Sequence, residues 1–502
     1  MARFFARLFS GKLYALMCVL AGGFAALGHA PWSLWYVALV AMSAMCVLFL
    51  RAPDSGRSAG AAWLSGTGYF AVALFWIVEP FLVDAARHGW MAPFALLFLA
   101  GGLALLWAIA GGIAGRFVGS RKAVAFVLAL SLIEMLRGVL FTGFPWALIS
   151  YIWSDHAIMQ IAAWIGPFGL AAITLSLSML LGIAFNERRL IPGITACVLL
   201  AGLWGGGAAR LAQGSVEDAG KTVRLLQPNA AQHLKWDPDM VPVFFSSQLD
   251  MTRGASAANV DLVVWPETAV GYRLKRRPEA LEYIADAAAG VPVIFGGNSA
   301  VDDTLRNTLA SMGPNGEIRD WYYKHHLVPF GEYIPLGSWL GDMGIRGLAA
   351  RDGGGFSAGD GPQILEVPEI GRILPLICYE LIFPRHMRTE TRPDLILQLT
   401  NDAWFGEVSG PYQHLAQAQF RAVEQGLPVL RSANTGISAA IDPYGRVTDQ
   451  LELGRAGFLD VELTRPLKPG FYARWGDWPI VAVLMVAFAT LAALGRGHER
   501  DT

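Results

Sequence analysis

Ile373-Leu374-Pro375-Leu376-Ile377-Cys378-Tyr379-Glu380 is the stretch from which the polar part of this 502-residue chain is read. Five apolar residues in succession, then a thiol and two polar residues, have the pattern of a strand buried on both faces that ends at a sheet edge. Other runs share this character, at 223–227, 261–265, 291–296, 308–312, 395–400, 428–432 and 437–441. They are continuously apolar instead of alternating. Helical stretches fall between some of them, at 278–289 and 411–425, and Asn315-Gly316 sits between two strand-like runs as a hairpin turn. The expected product is a layered α/β domain with a mixed sheet. The chain has no internal repeat, CxxC, HExxH or phosphate loop.

Outward from this region the composition changes. The whole chain is 54% hydrophobic and only 16% charged, with mean hydropathy +0.42. That is too apolar for a soluble enzyme. A net charge of -1 gives no reason to expect nucleic acid. Apolar stretches able to cross a bilayer lie near 13–29, 33–50, 59–79, 92–115, 123–141, 166–186, 190–209 and 478–495. The expectation is an eight-helix transmembrane bundle. Residues 1–212 carry helices one to seven, 213–472 form the soluble domain, and 473–502 hold the eighth helix and a tail.

Basic residues give the orientation. Arg3, Arg7 and Lys12 precede the first stretch, Arg51 and Arg57 follow the second, and Arg116, Arg121 and Lys122 follow the fourth. Arg188 and Arg189 follow the sixth, and Arg496 and Arg500 the eighth. If each stretch crosses once, all five clusters fall on one side, which is then the cytoplasm. Both termini are expected there, and the soluble domain outside. The outward loops carry His29-Ala30-Pro31-Trp32, Glu79-Pro80 and Thr142-Gly143-Phe144-Pro145-Trp146. Their tryptophans read first as interface anchors. Glu134 and Arg137, three apart within the fifth stretch, are either a self-satisfying pair or a functional one.

On the oxidising side of a membrane a lone cysteine has no internal disulfide partner. Cys18, Cys46 and Cys197 lie in apolar runs, which leaves Cys378 as the single cysteine of the soluble domain. Free cysteines are commonly buried and inert, but a leftover thiol in that setting is also a candidate nucleophile. Three charged residues sit where surface charges are not expected. Glu267 ends the apolar run Asp261–Trp265-Pro266, and Lys324 and Glu332 bracket Lys324-His325-His326-Leu327-Val328-Pro329-Phe330-Gly331-Glu332 after Trp321-Tyr322-Tyr323. Chemically they complement a thiol. Glu267 can take its proton, Lys324 can stabilise an oxyanion and hold Glu267 ionised, and Glu332 can orient the lysine or bind an incoming amine. His325 and His326, adjacent on a strand, would face opposite ways. With no third ligand evident, no metal is expected, and no cofactor is implied.

Trp265-Pro266-Glu267-Thr268, the Lys324–Glu332 segment and Ile377-Cys378-Tyr379-Glu380 resemble the Glu-Lys-Cys motifs of the nitrilase superfamily. With seven apolar stretches ahead and one behind, the chain resembles the apolipoprotein N-acyltransferase family over essentially its whole length. Thr142–Trp146 and Thr400-Asn401-Asp402-Ala403-Trp404-Phe405-Gly406 match that family's segments too. The resemblance implies an extracytoplasmic nitrilase-like αββα sandwich on an inner-membrane protein. It implies a two-step transfer of an acyl chain from a phospholipid, through a cysteine thioester, to the α-amine of the diacylglyceryl-cysteine that begins an apolipoprotein. Carried over by position, Cys378 is the nucleophile, Glu267 the base and Lys324 the oxyanion stabiliser. Glu332, Tyr379 and Glu380 support the site, and Trp236 lies near the substrate. The Gly-rich stretch 336–361, with Trp339 and Leu340, reads as a lid. A membrane-tethered amidase acting on a soluble amide, and a transporter with a substrate-binding domain, are the competing readings.

Overall fold

Apolar residues on every face leave a helix no side to show to water, and this governs the first unit of the chain. The structure is a computed structural model that describes residues 11–273, 278–301, 304–335 and 355–500. The chain divides into two compact units: residues up to Gly214 together with those from Pro469, and Ser215–Lys468.

In the first unit the long helices are α1 (Lys12–Ala26), α2 (Trp35–Arg51), α3 (Ser55–Ala73), α4 (Ala92–Ala114), α5 (Ser120–Arg137), α6 (Ala162–Glu187), α7 (Leu190–Ala212) and the C-terminal helix Trp478–Arg500. Small residues let them touch backbone to backbone. A Cβ on Gly22 of α1 would lie 1.9 Å from Ser65 O of α3, and one on Gly68 2.0 Å from Val19 O. By length and composition, Ala85–Ala114, Ala157–Glu187 and Leu190–Ala212 are long and apolar enough to cross a membrane. The expected stretch 59–79 is not one straight helix. α3 stops at Ala73, and the chain turns by 66° into Phe75–Leu82.

The Glu134–Arg137 pair is buried and internally satisfied. Arg137 Nη2 lies 2.6 Å from Glu134 Oε2, and its Nε donates to Oε1 at 3.0 Å. Trp107 Nε1 donates to the same carboxylate at 2.8 Å. Arg137 Nη1 donates to the carbonyls of Phe144 and Trp146, so the pair fastens the loop after α5. Trp146 is therefore no interface anchor: it is fully buried, its ring centroid 4.5 Å from that of Trp76.

In the second unit, one sheet runs β13-β1-β2-β4-β5-β6, with β3 beside β4. These strands are β1 (Asp218–Gln227), β2 (Leu262–Val264), β3 (Val270–Arg273), β4 (Val293–Val301), β5 (Thr304–Met312), β6 (Ile318–Tyr323) and β13 (Gly457–Thr464). The other runs β12-β11-β10-β9-β8-β7. Its strands are β7 (Leu365–Val367), β8 (Gly371–Ile377), β9 (Leu395–Thr400), β10 (Val429–Ala433), β11 (Ser438–Ile441) and β12 (Val447–Leu451). Both sheets are parallel at the centre, β1-β2-β4 and β8-β9-β10. The strand runs read as a mixed sheet thus divide between two sheets, as the αββα sandwich implied by the resemblance requires.

Helices α8 (Val241–Thr252) and α9 (Glu279–Ala288) cover the first sheet, packing Phe245, Leu249 and Ile284 on Val263, Trp265 and Phe295. Helix α10 (Gly410–Gln425) covers the second, packing Leu415, Ala418 and Ala422 on Leu374, Leu376 and Ile396. The layering is αββα. The unbroken apolar runs follow from it, because each central strand has a helix on one face and the other sheet behind it. Ser432 of β10 spans the inner layer, its hydroxyl donating to Leu226 O of β1 at 2.8 Å.

Candidate active site

Three strand ends supply the site. Glu267 follows β2, Lys324 follows β6 and Cys378 follows β8. Each is buried, at 7%, 1% and 6% exposure. A buried carboxylate and ammonium need partners, and here they have each other. Lys324 Nζ is 2.9 Å from Glu332 Oε1 and 3.9 Å from Glu267 Oε1.

The Glu267 turn is held from three sides. Asn307 of β5 donates its side-chain N–H to Glu267 Oε1 at 2.8 Å and to Glu332 Oε1 at 3.2 Å. Lys235 Nζ donates to Glu267 O at 3.1 Å and to Thr268 Oγ1 at 2.7 Å. Gly296 of β4 presses against the turn: a Cβ there would lie 2.5 Å from Pro266 O and 2.8 Å from Glu267 Cα. Burial, then Glu332, raises the Glu267 carboxyl above its usual range; Lys324, Asn307 and Lys235 pull it down. For Lys324 burial acts to lower the pKa, yet Glu332, Glu267 and Cys378 outweigh it and hold the ammonium above an ordinary lysine.

Cys378 opens a 3-10 turn, Cys378–Ile382, with φ at +52°, a left-handed conformation uncommon for a side-chain-bearing residue. Burial, then the charges of Glu267 and Asp402, push its thiol well up, and Lys324 and the Thr400 hydroxyl act in the opposite sense. The resting group is a neutral thiol beside a carboxylate and a lysine, so its proton must leave as it attacks.

Glu380 pins this turn to the Lys324 segment. Its carboxylate accepts from Ile377 N at 2.7 Å, Tyr322 Oη at 2.8 Å, His325 N at 2.7 Å and His326 N at 3.1 Å. Burial alone would raise its pKa, but His325 and Ile377 N–H lower it below the usual range. Tyr379 packs its ring on His326 and Phe383.

A second buried network holds the turn from behind. Gln398 Nε2 donates to Cys378 O at 3.1 Å, and Arg431 Nη1 donates to Gln398 Oε1 at 2.5 Å. Arg431 also donates to Asp402, which accepts from His414 Nδ1 and Thr400 Oγ1, each at 2.9 Å.

The structure therefore brings together Glu267, Lys324, Glu332, Cys378, Tyr379 and Glu380. Trp236 is apart from this buried set in character, at 42% exposure. Trp339 and Leu340 lie outside the described residues. The expectation that His325 and His326 face opposite ways fails, because β6 ends at Tyr323. Both rings meet His386, with centroids 4.5 Å and 4.9 Å away. Asn307, Lys235 and the Gln398–Arg431–Asp402–His414 set were not anticipated. Lys235 had a signal, since it directly precedes Trp236.

The carbon-nitrogen hydrolase family matches residues 222–467, and the apolipoprotein N-acyltransferase N-terminal domain matches residues 21–180. The apolipoprotein N-acyltransferase of Brucella melitensis is 36% identical over 97% of this chain and 96% of its own length. That of Rhodopseudomonas palustris is 34% identical over 96% of this chain and 95% of its own.

Proposed function

From the premise that this chain belongs to the apolipoprotein N-acyltransferase family, we propose that it moves a fatty acyl chain from a phospholipid to the α-amine of an apolipoprotein's diacylglyceryl-cysteine. The observation that carries the chemistry is the meeting of Cys378, Glu267 and Lys324 at three buried strand ends. In the first half-reaction Cys378 Sγ attacks the donor's ester carbonyl while Glu267 takes the thiol proton. Lys324 stabilises the oxyanion. Glu267 then passes the proton to the departing alkoxide, which leaves as a lysophospholipid alcohol. In the second half-reaction the acceptor amine attacks the thioester and transfers a proton to Glu267. The amide forms, and Cys378 leaves as the thiol with that proton.

Glu332 keeps Lys324 in place, Tyr379 and Glu380 hold the turns on either side of the thiol, and exposed Trp236 offers its ring to a substrate. Both substrates are lipids, which gives the apolar helices a purpose. We propose that eight of them cross the cytoplasmic membrane, with both termini cytoplasmic and residues 213–472 on the outer side. The five basic clusters support that orientation.

The test is to incubate the purified protein with phosphatidylethanolamine and no acceptor, then weigh it. An added acyl mass on the peptide bearing Cys378, released by hydroxylamine, is expected. The same mass on a Cys378→Ala protein would refute the thioester.

A further inference from the structure

Glu267 and Glu332 put two carboxylates against one amide, Asn307, inside a buried space, and among the described residues Lys324 is the single ammonium paired with both. Two negative charges against one positive charge in a desolvated site favour protonation of a carboxyl. A general base that is already protonated takes nothing from the thiol.

The missing charge stands at Lys235. Its side chain is buried at 6% exposure. Its Nζ has two acceptors, Glu267 O at 3.1 Å and Thr268 Oγ1 at 2.7 Å. The turn it grips is unusual, with Thr268 at φ +46° and no room for a Cβ at the facing Gly296. The charged and titratable groups facing it are Glu267 after β2 and Cys378 after β8. Behind them stand Lys324 after β6 and Glu332 on the loop that follows.

We propose that Lys235 is a positioning residue for the general base: its ammonium fixes the Glu267–Thr268 turn and supplies the second positive charge that keeps the Glu267 carboxylate ionised beside Glu332. The inference rests on the assignment of Glu267 as base. With Lys235 the four side chains sum to zero charge; without it they sum to minus one. Burial lowers Lys235 to about 8, against the pull of Glu267 and Cys378, so it is mostly charged at neutral pH and loses its proton above about 8. An arginine in its place would stay charged throughout.

The experiment follows single-turnover thioester formation from phosphatidylethanolamine in detergent micelles between about pH 5.5 and 9.5. Wild type is compared with Lys235→Gln, Lys235→Arg and Glu267→Gln, each checked for thermal melting. Glutamine retains an N–H donor but no charge. Its acid limb should move up by about one pH unit, the scale of one close charge in a buried site, which is about a tenfold loss on the acid side that fades toward pH 9. Arginine keeps the charge and should therefore keep the wild-type acid limb. A loss of the same factor at every pH in Lys235→Gln, or an unmoved profile, overturns the proposal. If Lys235→Gln does not fold, the arginine variant decides alone: an acid limb moved upward although the positive charge is retained overturns it. Glu267→Gln should fail at every pH. A wild-type rate there overturns the base assignment itself, whatever Lys235 does.

Discussion

Asn307 donates one side-chain N–H group to Glu267 Oε1 at 2.8 Å, from the interior of a strand, between Arg306 and Thr308. A hydrogen bond to an ionised carboxylate is worth about 1.5–3 kcal/mol. This one also reaches Glu332 at 3.2 Å, so a single amide keeps the two carboxylates at a fixed separation.

Replacing Asn307 with leucine should therefore slow thioester formation by about ten- to a hundredfold. The sign with pH follows from Glu267. Burial already raises its pKa, and loss of the Asn307 donor raises it further. The base is lost as pH falls through that value, so the defect should deepen in acid and shrink in alkali. Rates of acylation across pH check this, and a pH-independent defect would refute it.

Gly296 offers a test of the same carboxylate through the backbone. A Cβ there would sit 2.5 Å from Pro266 O, 2.6 Å from Thr268 N and 2.8 Å from Glu267 Cα. All three are main-chain atoms of the turn, with no flexible side chain to yield. Gly296→Ala should displace Glu267 by a fraction of an ångström to an ångström, and misplacement on that scale costs about a hundredfold in rate. The measurement is acylation rate alongside circular dichroism. A folded, fully active alanine variant would show that the turn has more room than this.

Much of this site was legible because its chemistry sits at strand ends. Glu267 and Cys378 each follow a run that apolar composition alone marks as a buried strand, and Lys324 stands out by its aromatic company, Trp321-Tyr322-Tyr323. Asn307 was hidden for the opposite reason. It lies inside β5, where a neutral polar residue gives no periodic signal and its partners are 40 and 25 residues away. Helix α10 was expected, but not its polar interior. His414, Gln417 and Arg421 are buried there, whereas periodicity assigns polar residues to the solvent face. The two-sheet arrangement was not readable from strand composition either, since a strand covered by a helix and one covered by a second sheet are equally apolar.

The orientation is open to a labelling test. A single cysteine introduced at Glu217, on the catalytic unit, should react with a membrane-impermeant maleimide added to spheroplasts. One at Arg189, after α6, should react only after lysis. Glu217 and Arg189 both have exposed side chains, so access from their own side is not limiting. The native thiols Cys18 and Cys46 are buried, and Cys197 is replaced in the background. Labelling in the reverse pattern would invert the placement drawn from the basic clusters.

Glu380 is expected to act on stability more than on chemistry. Its hydrogen bonds join β8's last residue, Ile377, to Tyr322, His325 and His326 of the other sheet's end, and His325 Nδ1 also lies 2.7 Å from the carboxylate. It is completely buried, so no solvent replaces a lost partner. Glu380→Gln keeps the volume, but turns one acceptor oxygen into a donor that faces N–H groups. Several kcal/mol should be lost, about 3–5 on the scale of broken buried ionic contacts. The melting temperature of the purified protein should fall clearly. If the variant is assayed well below that temperature, the remaining folded enzyme should acylate at a rate reduced far less than in Gly296→Ala. The reason is geometric: Glu380 holds the turn that carries Cys378, but none of these contacts reaches the thiol, Lys324 Nζ or the Glu267 carboxylate. An unchanged melting temperature with abolished acylation would instead move Glu380 from the scaffold into the reaction.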